Sequence, residues 1–315
     1  MFTDHKDDFF LSCAKSLLTE TFGAELRIVN YTITKRLPDY LVLTTHLENT
    51  IQGGELQDVV LKLAGPNAPR RGSFERTQRL HQLIQTETDI PVARVIAADD
   101  HSSRWPFRYL ILTYLRGTTW AEVVGNLTPE QSKSAYHQIG EAVAKLHTIS
   151  VASFGELTGC TVSFDFLPAL QNHVRQILPN PKLQNFFLEA LDKYEGLFIH
   201  VKNPSLCHED LHAYNLLFQH HSGNWELSGI LDFDKTWAGQ AESDLARIDF
   251  WRGMNNPEFW TGYHLIRQED PLYREQRLIY QLLWCLEYAQ PTPEHIASTQ
   301  QLCRYLNLPV IETFD

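Results

Sequence analysis

The chain has 315 residues, 43% of them hydrophobic and 21% charged, and carries a formal net charge of −11. That length gives room for two lobes and a sizeable core, and the acidic balance argues against nucleic acid as a partner. No run approaches the roughly 18 apolar residues of a membrane span, and five cysteines, Cys13, Cys160, Cys207, Cys285 and Cys303, show no C-x-x-C pairing, which argues against a disulfide framework or a zinc ribbon.

Reduced thiols and an acidic N-terminus, MFTDHKDDFF, without an apolar signal core point to a cytoplasmic protein with no membrane partner. The charge is unevenly placed. Residues 1–116 hold 14 basic and 14 acidic residues, which leaves 13 basic against 24 acidic for 117–315. If the second part binds an acceptor, its field favours a cationic or amine-bearing one; a solvated acidic surface is the plainer reading.

In chain order, Phe10, Cys13, Ala14, Leu17 and Leu18 keep helical spacing, with Gly23 as a stop. Leu26 to Ile33 and Tyr40 to His46 read as strands joined by Thr34 to Asp39. Gly53 and Gly54 read as a hairpin turn. Val59 to Leu63, VVLKL, is an apolar strand with the single charge Lys62. Ser73 then reads as the N-cap of a helix with Glu75 in its first turn and Leu80, Leu83 and Ile84 on its buried face; Arg70 and Arg71 just before it are read as solvated. IPVARVIAADD and Phe107 to Leu115 read as two further strands, giving five in all.

The second part opens with a helix whose start carries Thr128 as N-cap, Pro129 at the first helical position and Gln131 completing a capping box. Ala135, Ile139, Ala142, Val143 and Leu146 line its buried face, and His147 ends it as a structural histidine. Leu183 to Leu197 is amphipathic and helical. Beyond Ala246 the pattern is helical again, over Asp249 to Met254, Pro257 to Gln268 and Leu272 to Ala289. Trp251, Phe259, Trp260, Tyr263 and Trp284 are mostly core, although aromatic faces also bind ammonium groups.

Between these regions lies HEDLHAYN, His208 to Asn215, followed by LDFD, Leu231 to Asp234. Leu216 to Phe218 and Trp225 to Phe233 read as the arms of a hairpin turning at His220 to Asn224, so Asn215 and Asp232 face each other across roughly one strand spacing of about 5 Å. Phosphoryl transfer asks for a carboxylate to orient the attacking hydroxyl and for oxygen ligands to hold Mg²⁺ against nucleotide phosphates. Asp210, Asn215 and Asp232 supply these three types.

HEDLHAYN, ILDFD and then AESDLA, Ala241 to Ala246, resemble the aminoglycoside phosphotransferase and choline kinase-like branch of the protein-kinase-like fold, over roughly Arg27 to Gln290. The resemblance implies an α+β, bilobal fold: a nucleotide-binding lobe over residues 1–116, with an antiparallel five-stranded sheet and one main helix, and a mostly helical catalytic and acceptor-binding lobe over 117–315. It implies that Asp210 is the catalytic base, that Asn215 and Asp232 are Mg²⁺ ligands, and that Asp244 is a buried structural acid. Lys62 would clamp the nucleotide phosphates and pair with Glu75, and main-chain groups of the hinge at residues 113–117, at Thr113 and Leu115, would bind the adenine edge. His208 becomes a scaffold residue bonded near Asp232, and His212 a cleft residue.

The chain also departs from the family. The turn TKRLPD between the first two strands has no glycine, Glu209 stands where glycine is usual, and Ala213 and Tyr214 stand where Pro-Gly is usual. Glu209 either raises the Asp210 pKa by repulsion or binds an acceptor amine; alternation along an extended loop favours the amine. Asp249 and Glu258 are further candidates for the acceptor pocket. Asp234 either helps a second Mg²⁺ or bonds a backbone amide.

There is no G-x-x-x-x-G-K-[ST] and no G-x-G-x-x-G after a strand, and Glu209 replaces the arginine of regulated protein kinases. The reading is a Mg²⁺-dependent small-molecule kinase, a transferase that moves the γ-phosphate of ATP or GTP to a hydroxyl of a cationic acceptor such as an aminoglycoside or a choline-like alcohol. The alternative is a pseudokinase or nucleotide-sensing module without turnover. Acceptor identity, ATP against GTP, oligomeric state and any antibiotic resistance stay open.

Overall fold

The computed structural model describes residues 4–23, 26–49, 56–68, 73–157, 162–250, 253–288, 291–311 and 314. Gly53, Gly54, Arg70, Arg71, Cys160 and Trp251 lie outside them. The chain divides into two compact units, Met1–Arg116 and Gly117–Asp315.

In the first unit, α1 (Asp4–Phe22) packs Phe10, Ala14, Leu17 and Leu18 against the sheet, and Gly23 closes it at φ +91° with its N–H bonded to Thr19 O at 2.8 Å. Strands β1 (Leu26–Leu37), β2 (Tyr40–Asn49), β3 (Leu56–Ala64), β4 (Val95–Asp99) and β5 (Arg108–Thr113) form one antiparallel sheet in the order β1-β2-β3-β5-β4. The TKRLPD stretch, expected as a loop, is mostly strand: Lys35, Arg36 and Leu37 pair with Val42, Leu41 and Tyr40. Pro38 and Asp39, the latter at φ +55°, turn the chain alone, which is enough for a hairpin whose second turn residue accepts a positive φ.

Helix α2 (Phe74–Glu87) starts on Ser73, whose Oγ accepts from Arg76 N at 3.0 Å. Asp100 reinforces the start. It accepts from Ser73 Oγ and from the N–H groups of Phe74 and Glu75, both at 3.0 Å, so a carboxylate sits where the unpaired amides and positive end of the helix need one.

The second unit begins with β6 (Thr118–Thr119) and the short helix α3 (Trp120–Val123), then α4 (Pro129–Thr148), whose capping box forms as expected: Gln131 N donates to Thr128 Oγ1 at 3.2 Å and Thr128 N to Gln131 Oε1 at 3.0 Å. Short strands β7 (Phe154–Gly155) and β8 (Val162–Ser163) and helices α5 (Phe166–Ile177) and α6 (Pro181–Lys193) follow. β9 (Ser205–Cys207) leads into the HEDLHAYN loop, and β10 (Leu216–His221) and β11 (Asn224–Ile230) form the expected hairpin. β12 (Trp237–Gly239) pairs with β9 and β7.

The remainder is helical: α7 (Glu242–Phe250), α8 (Pro257–His264), α9 (Tyr273–Glu287) and α10 (Pro293–Tyr305). The helix expected at Asp249–Met254 is instead the end of α7, which begins seven residues earlier, and α8 stops at His264 rather than Gln268. Helices α4 and α8 pack through two glycines. A Cβ on Gly140 would lie 2.0 Å from Phe259 O, and one on Gly262 2.1 Å from His137 O, so only residues without one let these backbones approach. Among the described residues, no helix is long and apolar enough to cross a membrane, and Cys13, Cys207, Cys285 and Cys303 are free thiols.

Candidate active site

The HEDLHAYN loop hangs from Asp244, in the first turn of α7. Its Oδ2 accepts from His208 N at 2.6 Å and its Oδ1 from Glu209 N at 2.8 Å, while His147 Nε2 lies 3.1 Å from Oδ2. Tyr263 OH lies 3.0 Å from the other nitrogen of His147. Asp244 is fully buried. Burial opposes its charge, yet the hydrogen bond and charge of His147, the His208 ring and the His208 N–H outweigh it and hold the carboxyl below its ordinary value.

The His208 ring spans the loop and the hairpin. Its Nε2 donates to Leu231 O at 2.9 Å, next to Asp232, and its Nδ1 accepts from Asp210 N at 3.2 Å. The bond to the backbone beside Asp232 is the one expected of it.

Leu216 pairs with Ile230, so Asn215 and Asp232 stand at the open end of the hairpin, and Asn215 O accepts from Leu231 N at 2.8 Å. Asn215 Nδ2 donates to Asp210 O at 2.9 Å, which commits the nitrogen of the amide and sets its oxygen apart from that bond. Asp232 takes a left-handed conformation, φ +61° and ψ +61°, as the chain leaves β11; Asp234 follows in a short turn over Phe233–Lys235.

Among the described residues no group of three or more His, Cys, Asp or Glu side chains is arranged to hold a metal ion. One amide oxygen and one carboxylate suit a hard cation that keeps several waters, as Mg²⁺ does, and do not suit a zinc site.

Three residues that the sequence reading did not nominate complete the surroundings of Asp210. Arg247 Nη1 lies 2.9 Å and Lys235 Nζ 3.4 Å from Asp210 Oδ1. Both cations also reach Glu287, Arg247 Nη2 to Oε2 at 2.7 Å and Lys235 Nζ to Oε1 at 2.8 Å. Burial works to raise the Asp210 pKa, but Lys235, Arg247, His212 and His208 outweigh it and keep the carboxyl below its ordinary value. His212 also titrates low, first through burial and then through Arg247 and His208, against the pull of Asp210. Lys235 directly after LDFD and Arg247 one helical turn after Asp244 were detectable signals; Glu287, 77 positions from Asp210, had none.

The three acceptor candidates do not gather here. Glu209 is 2% exposed, and its Oε1 accepts from Trp237 Nε1 at 2.6 Å and from Ser243 Oγ at 2.7 Å. Its φ of +66° breaks the alternation assumed for an extended loop and turns the side chain inward, away from any acceptor. That backbone region explains why glycine is usual there. Nor does Glu209 raise the Asp210 pKa, which moves down.

Asp249 accepts from Tyr273 OH at 2.6 Å and pairs with Arg277 at 3.1 Å, lining a cavity of about 460 Å³ with Trp260, His264 and Arg274. Two positions after Arg247 on α7, it is turned about 200° from the residue that touches Asp210. Along α9, its partner Arg277 is about 15 Å from Glu287. Glu258 pairs with Lys133, 3.4 Å away at the start of α4, whereas His147 near the end of α4 supports the loop. Trp284 is buried and spends its face on Arg247, whose Cζ lies 4.0 Å from the ring centroid.

In the first unit, Lys62 lies on β3 opposite Val42 and Leu110, between buried Leu61 and Leu63. Glu75, expected as its partner, lies on the helix that follows. Glu75 sits in the first turn of α2, anchored by Asp100, and its carboxylate lies 3.6 Å from His101. At the hinge, Thr113 N–H is bonded to Arg94 O at 2.9 Å and Tyr114 N–H to Asp58 O at 3.1 Å; the main chain of Leu115 has no hydrogen-bond partner among the described residues.

A model of the phosphotransferase enzyme family matches residues 42–279. Similar solved structures include a thermostable mutant of aminoglycoside phosphotransferase APH(4)-Ia in a ternary complex with AMP-PNP and hygromycin B, at 16% identity over 92% of this chain and 96% of that one, TM-score 0.61. Aminoglycoside phosphotransferase APH(2'')-Ib with ADP bound matches at 15% identity over 93% and 95%, TM-score 0.57. The GDP complex of a mutant aminoglycoside 2'-phosphotransferase IIIa matches at 12% over 93% and 94%, TM-score 0.59. At these identities the structures speak to the fold, which they share over nearly the whole chain. The family match covers most of the sequence and includes the HEDLHAYN loop, the hairpin and Asp244: the chain belongs to the phosphotransferase enzyme family.

Proposed function

We propose that the protein is a Mg²⁺-dependent small-molecule O-phosphotransferase that moves the γ-phosphoryl group of ATP or GTP to a hydroxyl of its acceptor. The observation that carries this reading is the closure of one hairpin end: Asn215 and Asp232 flank the same β-ladder terminus, and Asn215 is tied to the main chain of Asp210. Asp210, ionised well into the acidic range, orients the acceptor hydroxyl and accepts its proton. Asn215 and Asp232 would hold Mg²⁺, which when bound neutralises charge on the nucleotide phosphates. Lys62 clamps phosphate oxygens, and the main chain of Leu115 receives the base.

Similar structures are complexes with AMP-PNP, ADP and GDP, so both purine donors belong in the assay. For the acceptor, the −11 balance of residues 117–315 supports a cationic, hydroxyl-bearing small molecule of the aminoglycoside or amino-alcohol class, held by groups other than Glu209, Asp249 and Glu258. A nucleotide-sensing module without turnover would have no use for an ionised, partly exposed Asp210. A thermal-shift titration with ATP and GTP, each with and without Mg²⁺, tests the reading: a Mg²⁺-dependent rise that Asp232→Ala abolishes supports it, and no rise with either nucleotide refutes it.

A further inference from the structure

Both oxygens of Glu287 are occupied, each by a different cation, and both cations converge on the same oxygen of Asp210. Arg247 is 5% exposed and has little freedom: its two terminal nitrogens bridge Asp210 and Glu287, and its plane lies over Trp284. Lys235 has a flexible stem and, among the described residues, its hydrogen bonds go to these two carboxylates. Among the described residues the other oxygen of Asp210, Oδ2, makes no hydrogen bond, and its ion-pair neighbour is His212 Nε2 at 4.0 Å.

An aspartate carboxylate turns readily about its last bond, so an acceptor-orienting carboxylate needs something to decide which oxygen faces the hydroxyl. Four side chains from the loop, the LDFDK turn, α7 and α9 make that decision here.

We propose that Glu287 is a positioning residue of the transfer site: by holding Arg247 and Lys235 on separate oxygens, it fixes both cations on Asp210 Oδ1 and leaves Oδ2 to the acceptor hydroxyl. The inference rests on the reading of Asp210 as the acceptor-orienting carboxylate. Glu287 touches neither nucleotide nor acceptor in this account and acts through Arg247 and Lys235. Its loss releases the constraint without removing a ligand of the nucleotide, so the chemical step slows while nucleotide binding stays as it was.

The test is steady-state release of inorganic phosphate from the Mg²⁺-nucleotide, with water as acceptor, for wild type, Glu287→Gln, Arg247→Gln and the double variant. Each single substitution is expected to lower kcat about 10- to 100-fold, the scale of a misplaced reacting group, with the nucleotide KM within about twofold. The double variant is expected to lose no more than the worse single one, because both act through one contact chain. Arg247→Lys replaces Arg247→Gln in the cycle if the latter does not fold. A Glu287→Gln enzyme with wild-type kcat, or losses that multiply in the double variant, would overturn the proposal. Asp210→Asn in the same assay separates the two readings: wild-type turnover there refutes the role of Asp210, whereas an inactive Asp210→Asn beside a fully active Glu287→Gln refutes this inference alone.

Discussion

Asp244 accepts the backbone N–H groups of His208 and Glu209, and Asp100 accepts those of Phe74 and Glu75. Each carboxylate binds two consecutive amides of a distant segment and fixes it in space. They differ in depth. Asp244 has no exposed side-chain surface and leans on a buried His147, whereas Asp100 keeps 16% of its side chain exposed and leans on Arg108 at 3.3 Å. Water can replace part of what Asp100 supplies to a helix end. It cannot reach the amides of the HEDLHAYN loop, so there the protein must carry the hydrogen-bond acceptor itself.

The first way to break this comparison is Asp244→Asn. An amide cannot accept from two N–H groups and an imidazole as a carboxylate does, and a buried pair that loses its charge on one side costs about 3–5 kcal/mol. Urea unfolding should show that loss, together with a fall in phosphate transfer, because His208 and Asp210 then lose their mooring. Asp100→Asn should cost less, about 0.5–2 kcal/mol, the range of a lost helix cap, with α2 fraying first in hydrogen exchange. Equal losses at the two sites would mean that depth is not what separates them.

Acid sharpens the comparison. Both carboxyls titrate below 3.8 in the folded protein. The unfolded chain therefore binds more protons than the folded one as pH drops through that value, so their contribution is complete above about pH 4 and is lost as pH falls through the lower folded values. Unfolding midpoints across this window should fall less steeply in either Asn variant than in wild type; an unchanged slope in both would contradict the assignment. The smallest effect is expected at Glu75, the half-exposed neighbour that Asp100 anchors. Glu75→Gln should stay within about 0.5 kcal/mol of wild type in urea unfolding, since its carboxylate is 41% exposed and lies 3.6 Å from His101.

These contrasts mark what was legible in the sequence. The spacing from Asn215 to Asp232 across a Ser-Gly turn encodes a hairpin, and a hairpin of that length has one open end, so the pairing of the two could be read before any coordinates. The same holds for the Thr128 capping box and for the burial of Asp244 behind AESDLA. Glu209 was misread because its direction depends on a positive φ that no side-chain pattern announces. For Asp249, the sequence pattern placed a helix start at Asp249, where α7 in fact begins at Glu242. Once the helix is phased from Glu242, Arg247 faces Asp210 and Asp249 faces elsewhere. Glu287 approaches Asp210 only through the packing of α9 on α7, which no local pattern records.

In the proposed reaction Asp210 orients the acceptor hydroxyl while Asn215 and Asp232 would hold the metal beside it. The most direct measurement is phosphate transfer by Asp210→Asn, with the nucleotide- and Mg²⁺-dependent thermal shift recorded on the same preparation. The account predicts turnover reduced about 10²- to 10⁴-fold with the thermal shift intact. Wild-type turnover in that variant would contradict it.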